Sequence, residues 1–417
     1  MTDLLALSEA IIDGARSIDD HHPVAFAAGA TLQELAPDLA FVESFSNSIV
    51  YRDDEGLAMV DAGSPLHAPA IVQRVRDWTA LPLRTAVFTH GHVDHIYAVP
   101  LLERAQSDPC HVIAHERTPE RFRRYERTNG YNAAINQRQF QLAAPLFPGD
   151  YRYPDEVYRD TLGIRAGGLD LVLHHARGET DDGTWLWDPA HRAVLTGDLF
   201  IWASPNCGNP QKAQRYCDEW AVALRRMAAL RPELLLPGHG LPIAGAERVQ
   251  RVLTETARYL ESIFDQTIDA MNTGATLDEI LHSVRPPADL DDAPWLQPVY
   301  DEPEFVVRGI WRLYGGWYDG NPAHLKPAPD DAVAAEVASL AGGADRLARR
   351  ALELSSAGDH RLAGHLIEFA GRAAPADEEI RRARATVFAE RARQERSTMS
   401  KGVFSWAARS ASPGPKG

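Results

Sequence analysis

The stretch FTHGHVDHIYAVP, residues 88–100, follows an apolar run and concentrates polar side chains in a short loop. Within six residues it carries three histidines and one aspartate: His90, His92, Asp94 and His95. Residues 84–88 predict a β-strand, so these side chains lie at its carboxyl end, a common place for binding and catalytic groups. In an extended H-x-H segment both imidazoles point to one side, whereas Asp94 and His95 begin the next turn and point elsewhere. Since imidazole and carboxylate suit zinc, iron or manganese, this loop predicts ligands for two neighbouring cations.

The composition is that of an ordinary globular protein. The chain has 417 residues, 45% of them hydrophobic, which favours two or three domains. Its net charge of −15 argues against nucleic acid or an anionic membrane surface as the main partner. The amino terminus lacks the basic start of a secretory signal, and we see no membrane span. The three cysteines form no C-x-x-C pair, so we expect free thiols and a cytoplasmic location.

The pattern of apolar residues changes along the chain. The first 245 residues alternate short β-branched or apolar runs with helical stretches, which is typical of layered α/β folds. We predict strands at residues 48–52 and 57–60, joined by a turn, and a helix at residues 68–79. From Ala246 onward apolar residues recur at helical spacing, and residues 332–393 resemble helical hairpins of the tetratricopeptide type. We therefore expect an α/β domain over residues 1–245, an all-α domain over residues 246–400 and a disordered tail over residues 401–417.

Further polar residues follow predicted strands downstream of the opening loop: Glu179 in G-E-T, Asp198 in G-D and His239 in G-H. Taken singly, each has a plain interpretation as a helix cap, a turn former or a loop histidine. Taken together with the H-x-H-x-D-H order, the set resembles the metallo-β-lactamase superfamily. That resemblance implies an αββα sandwich with a two-metal site at one edge.

The resemblance assigns ligands position by position. His90, His92 and Glu179 would hold one metal, Asp94, His95 and His239 the other, and Asp198 would bridge both. Glu179 stands where most of the superfamily has histidine, a feature of the alkyl-sulfatase branch, although that branch often bridges with glutamate rather than aspartate. The implied cofactor is two Zn²⁺, with manganese or iron as alternatives, and the catalytic carboxylates are Asp94 and Asp198. Asp61 in VDAG matches a position behind the metal loop, with a plain turn aspartate as the alternative.

A second segment resembles the same branch. Residues 308–327, RGIWRLYGGWYDGNPAHLKP, and the hairpins after them are similar to the helical dimerisation region of alkyl sulfatases. The first domain would then be catalytic and the second would form a homodimer, for which we predict the apolar face of residues 247–271 together with Trp311, Tyr314 and Trp317. We expect this chain to lack the third, sterol-carrier-like domain of longer relatives, which would argue against long-chain detergent sulfates.

Substrate contacts are predicted in two polar segments, residues 121–140 and 205–216. The candidates are Asn136, Arg138, Lys212 and Arg215, because amide and guanidinium groups suit a sulfate oxyanion. A solvated helix face is the alternative for each of them.

Three functions remain open. The leading hypothesis is a dinuclear zinc hydrolase of sulfate esters, short or secondary alkyl sulfates, using a hydroxide that bridges the metals. The second is a hydrolase of the same fold acting on another ester, lactone, thioester or phosphodiester. The third is a non-catalytic binding protein, against which the complete ligand set argues.

Overall fold

The computed structural model describes residues 3–24 and 29–411. Its contacts divide into two compact units. Unit 1 comprises Met1–Asn129 and Pro148–Gly316, and unit 2 comprises Gly130–Phe147 and Trp317–Gly417.

Unit 1 contains two β-sheets. The strands of the first sheet are β1 Thr31–Ala36, β2 Leu39–Glu43, β3 Ser48–Arg52, β4 Leu57–Val60, β5 Leu83–Val87, β6 His111–His115 and β7 Glu156–Tyr158. They lie in chain order, antiparallel from β1 to β4 and parallel from β4 to β7. The strands of the second sheet are β8 Thr161–Ala166, β9 Leu169–His175, β10 Thr184–Asp188, β11 Ala193–Gly197, β12 Leu234–Pro237 and β13 Ile243–Ala244. Only β11 and β12 pair in parallel among these strands, and the order is β13-β12-β11-β10-β9-β8.

Fifteen helices occur among the described residues: α1 Leu4–Ile12, α2 Ala68–Trp78, α3 Ala98–Glu103, α4 Thr118–Arg127, α5 Asn129–Phe140, α6 Cys217–Ala229, α7 Ala246–Asn272, α8 Leu277–Ser283, α9 Pro303–Gly315, α10 Pro322–Leu325, α11 Asp330–Ala341, α12 Ala344–Ser356, α13 His360–Ala373, α14 Glu378–Gln394 and α15 Thr398–Ala411. None of the described helices combines the length and the apolar character needed to cross a membrane. Cys110, Cys207 and Cys217 are free and buried.

The layers of unit 1 follow from the two-residue period of its strands. In β3, Ile49 and Tyr51 join the core shared with the second sheet, whereas Val50 joins the core under α2 and α3. Helices α6 and α7 cover the second sheet with residues such as Leu224 and Leu253. This is the αββα sandwich expected from the sequence, so the predicted fold class is confirmed.

The compact units divide at a different place from the predicted domains. Helix α7 begins at Ala246 as expected, but its apolar face, including Val252, Leu260 and Ile263, is buried in the core of unit 1. That face is therefore not available as a dimer interface, and this part of the prediction was wrong, because helical periodicity shows that a face is buried but not against what. The units separate after Gly316 instead of Ala246.

Unit 2 is helical. Helices α11 to α14 share a core that includes Ala351, Ile367 and Val387. Helix α15 occupies residues 398–411, where a disordered tail was expected from residue 401 onward, because Phe404 and Ala408 pack against that core. Residues 412–417 lie outside the described residues.

Candidate metal centre

Four loops converge at one edge of the sandwich, each following a strand of unit 1. They come after β5, β9, β11 and β12. The structure gathers the candidate ligand atoms into two groups, each lying within 4.8 Å: His90, His92, Glu179 and Asp198 in the first group, and Asp94, His95 and His239 in the second group. These are the residues that the sequence analysis assigned to metal.

Asp198 reaches both groups. Its Oδ2 atom lies 3.7 Å from Nε2 of His90 and 3.5 Å from Nε2 of His239, and its Oδ1 atom lies 3.3 Å from Nε2 of His95. One carboxylate thus faces ligand atoms on either side, as a bridging ligand would.

The ligand groups contain buried polar atoms that the protein itself does not satisfy. Among the described residues these include Nε2 of His95, Oε2 of Glu179 and Oδ1 of Asp198. Orphaned buried atoms are costly, and a site with several of them implies a missing partner. Imidazole nitrogens and carboxylate oxygens at these separations are the donor set for a divalent metal, so the residues fit the group that they would hold.

Glu179 is oriented by neighbours on its own side of the site. Its Oε1 atom accepts hydrogen bonds from Nδ2 of Asn206 and from Nη2 of Arg215, the latter at 3.4 Å. The other oxygen, Oε2, lies 3.8 Å from Nδ1 of His92. One oxygen is therefore held by the protein while the other faces the first group.

Asp61 orients a residue of the second group. It accepts hydrogen bonds from the backbone N–H and the hydroxyl of Thr89, at 2.8 and 2.7 Å, and lies 2.8 Å from Nδ1 of His95. A proton on Nδ1 of His95 leaves Nε2 as the acceptor that faces Asp94 and Asp198. The side chain thus fixes both the loop after β5 and the orientation of one imidazole.

Hydrogen bonds with residues outside the two ligand groups hold the loop that carries His239. Nδ1 of His239 donates to the carbonyl oxygen of Phe45, and Nδ2 of Asn47 donates to the carbonyl oxygens of Pro237 and Gly240, both at 2.9 Å. Gly238 must be glycine because a Cβ atom there would lie 2.2 Å from Oδ1 of Asp198. The glycine in G-H therefore lets this turn approach the carboxylate.

A buried ion pair that the sequence analysis missed links three segments near the first group. Asp182 accepts hydrogen bonds from the backbone N–H of Gly91 (2.9 Å), the hydroxyl of Thr118 (3.0 Å) and Nε of Arg121 (2.8 Å). It thereby ties the loop that carries Glu179 to the H-x-H loop and to α4. The D-D pair after G-E-T was the available signal, but adjacent aspartates in a loop are usually solvated.

The pKa shifts of the buried imidazoles differ between the two ligand groups. Burial, reinforced by the charge of His90, lowers the pKa of His92 well below its ordinary value. For His95, burial is outweighed by the carboxylates of Asp198, Asp61 and Asp94, which raise its pKa. Burial and the charge of Asp198 raise the pKa of Glu179. A bound cation would relieve this accumulation of negative charge.

The candidate substrate residues have different surroundings. Burial, followed by the charge of Arg215, lowers the pKa of Lys212 to about 8, while Asp94 and Glu179 act in the opposite direction, so its ammonium group lies near the site. Arg215 is bonded to the carbonyl oxygens of Asn206 and Ala213 as well as to Glu179. A substrate-binding role for Arg215 stays a prediction. Its observed hydrogen bonds indicate a role within the protein instead.

Asn136 and Arg138 both lie on α5, in the part of the helix that belongs to unit 2. Two positions apart on a helix, their side chains diverge by about 200°. Their role in binding substrate stays a prediction.

Comparison with known proteins agrees with this architecture. The model of the metallo-beta-lactamase superfamily matches residues 42–239, and the model described as alkyl sulfatase dimerisation matches residues 276–414. The chain therefore combines a metallo-beta-lactamase superfamily domain with an alkyl sulfatase dimerisation domain.

Several of the similar proteins are named alkylsulfatases. A linear primary-alkylsulfatase from a Pseudomonas strain is 27% identical over 344 residues, covering 76% of this chain and 65% of the relative. An (R)-specific secondary-alkylsulfatase from Pseudomonas is 26% identical over 389 residues, covering 84% of this chain and 58% of the relative. The chain thus spans about two thirds or less of the length of these relatives. The solved structure of the stereoselective inverting sec-alkylsulfatase Pisa1 from Pseudomonas has a TM-score of 0.83 at 21% identity, covering 92% of this chain and 66% of that one, which shows a shared fold.

Proposed function

We propose that this chain is a metal-dependent hydrolase of sulfate esters, short or secondary alkyl sulfates, that works with two zinc ions, one at each ligand group. The observation that carries the proposal is the position of Asp198, whose two oxygens face both groups. A binding protein would not need two adjoining ligand sets with orphaned buried atoms. The names of the relatives then favour sulfate esters.

The reaction follows from what each side chain can do. Two divalent cations held here would lower the pKa of a bound water and draw electron density from the ester oxygens. Asp94 is the most open of these carboxylates, with 21% of its side chain exposed, and its Oδ2 atom lies 3.5 Å from Nε2 of His239. It can accept the proton that the attacking water loses. Asp198 holds the two ligand groups in register, and Asp61 keeps His95 in the orientation that the site requires.

Lys212 is the residue that we propose anchors the sulfate. Its side chain is half-buried and its charge interacts with the carboxylates of Asp94 and Glu179, so an anionic substrate at the mouth of the site would meet it. We expect Lys212→Met to lower kcat/KM for a sulfate ester by about tenfold or more, the loss of a charge-assisted contact. A neutral ester should be affected far less. Paired rate measurements on both substrates test this, and equal losses on the two substrates would contradict it.

A second candidate is another ester, lactone, thioester or phosphodiester. The probable metallo-hydrolase YflN of Bacillus subtilis is 24% identical over 237 residues, and the match covers 85% of that relative. Zinc-loaded protein should therefore be assayed against matched sulfate, phosphate, lactone and thioester substrates. Turnover of the sulfate alone supports the leading proposal, and turnover of another class without sulfate rejects it.

We also propose that the chain forms a homodimer, because residues 276–414 match the dimerisation model. Tyr314 and Trp317 have 50% and 70% of their surface exposed, which suits a contact surface. Light scattering should return about twice the 46.0 kDa of one chain. The free cysteines support a reducing compartment.

A further inference from the structure

Glu179 brings a buried negative charge to the first ligand group. Its side chain is 6% exposed, and the group already contains the carboxylate of Asp198. A buried carboxylate requires a compensating charge or a full set of hydrogen bonds. Arg215, whose side chain is 4% exposed, forms an ion pair with it.

All three nitrogens of the Arg215 guanidinium donate to acceptors of the protein itself, using three of its five N–H groups. Nε donates to the carbonyl oxygen of Asn206 at 3.3 Å, Nη1 to the carbonyl oxygen of Ala213 at 2.5 Å, and Nη2 to Oε1 of Glu179 at 3.4 Å. A guanidinium that grips an oxyanion offers it two parallel N–H groups. Here the three nitrogens are each directed at a different internal acceptor, which is the arrangement of a structural arginine.

The contacts of Glu179 are divided between its two oxygens. Asn206 and Arg215 both bind Oε1, and Oε2 has no hydrogen-bond partner while it faces Nδ1 of His92. Binding one oxygen fixes the rotation of the carboxylate about its last torsion angle. Because that angle is otherwise broad for glutamate, the bonds to Oε1 decide where Oε2 points.

We propose that Arg215, assisted by Asn206, is a positioning residue that makes Glu179 a metal ligand by holding Oε1 and balancing its charge. This inference rests on the proposed metal centre. It assigns Arg215 to the protein side of Glu179 instead of to the substrate. It also sets a condition: zinc affinity should depend on Arg215 only while residue 179 is a carboxylate.

A double-mutant cycle tests that condition. Zinc affinity is measured by competition with a chromophoric chelator for wild type, Arg215→Gln, Glu179→His and the double variant. We expect Arg215→Gln to lower the affinity for one of the two zinc ions by about 10–100-fold in the wild-type background. This is the usual effect of losing a residue that hydrogen-bonds to a metal ligand. In the Glu179→His background the same change should leave zinc affinity unchanged or improve it, because a neutral imidazole needs no cation behind it. Equal losses in both backgrounds would overturn the inference.

Two controls show whether a change in zinc affinity comes from the contact between Arg215 and Glu179. Arg225→Gln removes an arginine from α6 whose partner, Glu261, lies on the surface, and it should not alter zinc affinity. If Glu179→His does not fold, Arg215→Lys and Arg215→Met are compared in the wild-type background. Lysine should retain zinc affinity better than methionine by about tenfold, since it keeps the charge. Equal affinities for these two variants would overturn the inference. A wild-type chain that binds no zinc would instead refute the metal centre itself.

Discussion

Two clusters of histidine and carboxylate, each with a buried aspartate, lie at opposite ends of strands β10 and β11, and they differ in which of their polar atoms lack a hydrogen-bond partner. In the hairpin between these strands, Nδ1 of His191 lies 2.7 Å from Oδ2 of Asp188, and Nε2 lies 3.1 Å from Oδ1 of Asp38. The other oxygen of Asp188 accepts hydrogen bonds from the backbone N–H groups of Ala190 and His191. At the metal end, atoms of His95, Glu179 and Asp198 are buried without a hydrogen-bond partner.

The contrast shows that residue types alone do not identify a site. Both clusters bury aspartate beside histidine, and both tie distant segments of unit 1 together. The hairpin cluster is closed, since each ring nitrogen and each oxygen of Asp188 has a partner within the protein. The metal cluster is open on the side where its two ligand groups meet. At the metal cluster the unsatisfied atoms belong to candidate ligands, whereas in the hairpin cluster the atoms of Asp188 and His191 have partners within the protein.

The largest effect should follow from removing a ligand of the open cluster. We expect His92→Ala and His239→Ala each to lower zinc content clearly below about two ions per chain, because three or fewer ligands hold the metal poorly. Hydrolysis should fall by about 10³-fold or more, beyond the ~10–100-fold of an outer partner. Elemental analysis and steady-state rates measure both. Full zinc content in both variants would remove the two-metal proposal.

A matched pair of aspartates tests the comparison directly. Asp61→Asn should weaken zinc binding by about 10–100-fold, because it disturbs the hydrogen bond that orients His95. Asp188→Asn should leave zinc binding unchanged. It should lower the free energy of unfolding by about 2 kcal/mol, the scale of a hydrogen bond to a buried charged group. Chelator competition and urea unfolding on both variants measure the two effects. If zinc binding changed in Asp188→Asn, the two clusters would not be independent.

The smallest effect concerns pH and the closed cluster. Burial opposes protonation of His191, but Asp188 and Asp38 outweigh it and raise its pKa above the ordinary value. A raised histidine pKa contributes stability that is fully present below the unfolded value of about 6.5 and is lost as pH rises through the folded value. The difference in unfolding free energy between wild type and His191→Asn should therefore be larger near pH 6 than near pH 9. Urea titrations at both values, with chelator present to remove metal effects, measure it. A difference that grew with pH would have the wrong sign.

Several elements of the fold were predictable because they depend on local periodicity. Strands β3 and β4 have the predicted bounds, and α2 ends one residue earlier than predicted. The carboxyl end of the helical region was harder to predict from the sequence. Helix α15 was expected as a tail because its sequence is short of strong apolar periodicity, and its order comes from packing against the core of unit 2.

The candidate ligands stood out in the sequence because each one follows a predicted strand, and the resemblance to the metallo-β-lactamase superfamily assigned them to metal. Local pattern indicated a layered α/β fold, and the resemblance to the metallo-β-lactamase superfamily implied the αββα class. What only the tertiary structure decided is which neighbours orient those ligands: Asp182 on the H-x-H loop, and Asn206 with Arg215 on Glu179. These partners are separated along the chain by up to 91 residues, and their side-chain types are common in loops and on surfaces. Because a hydrogen bond depends on distance and direction in space, no spacing in the sequence could distinguish Arg215 as a partner of Glu179 from an arginine that binds substrate.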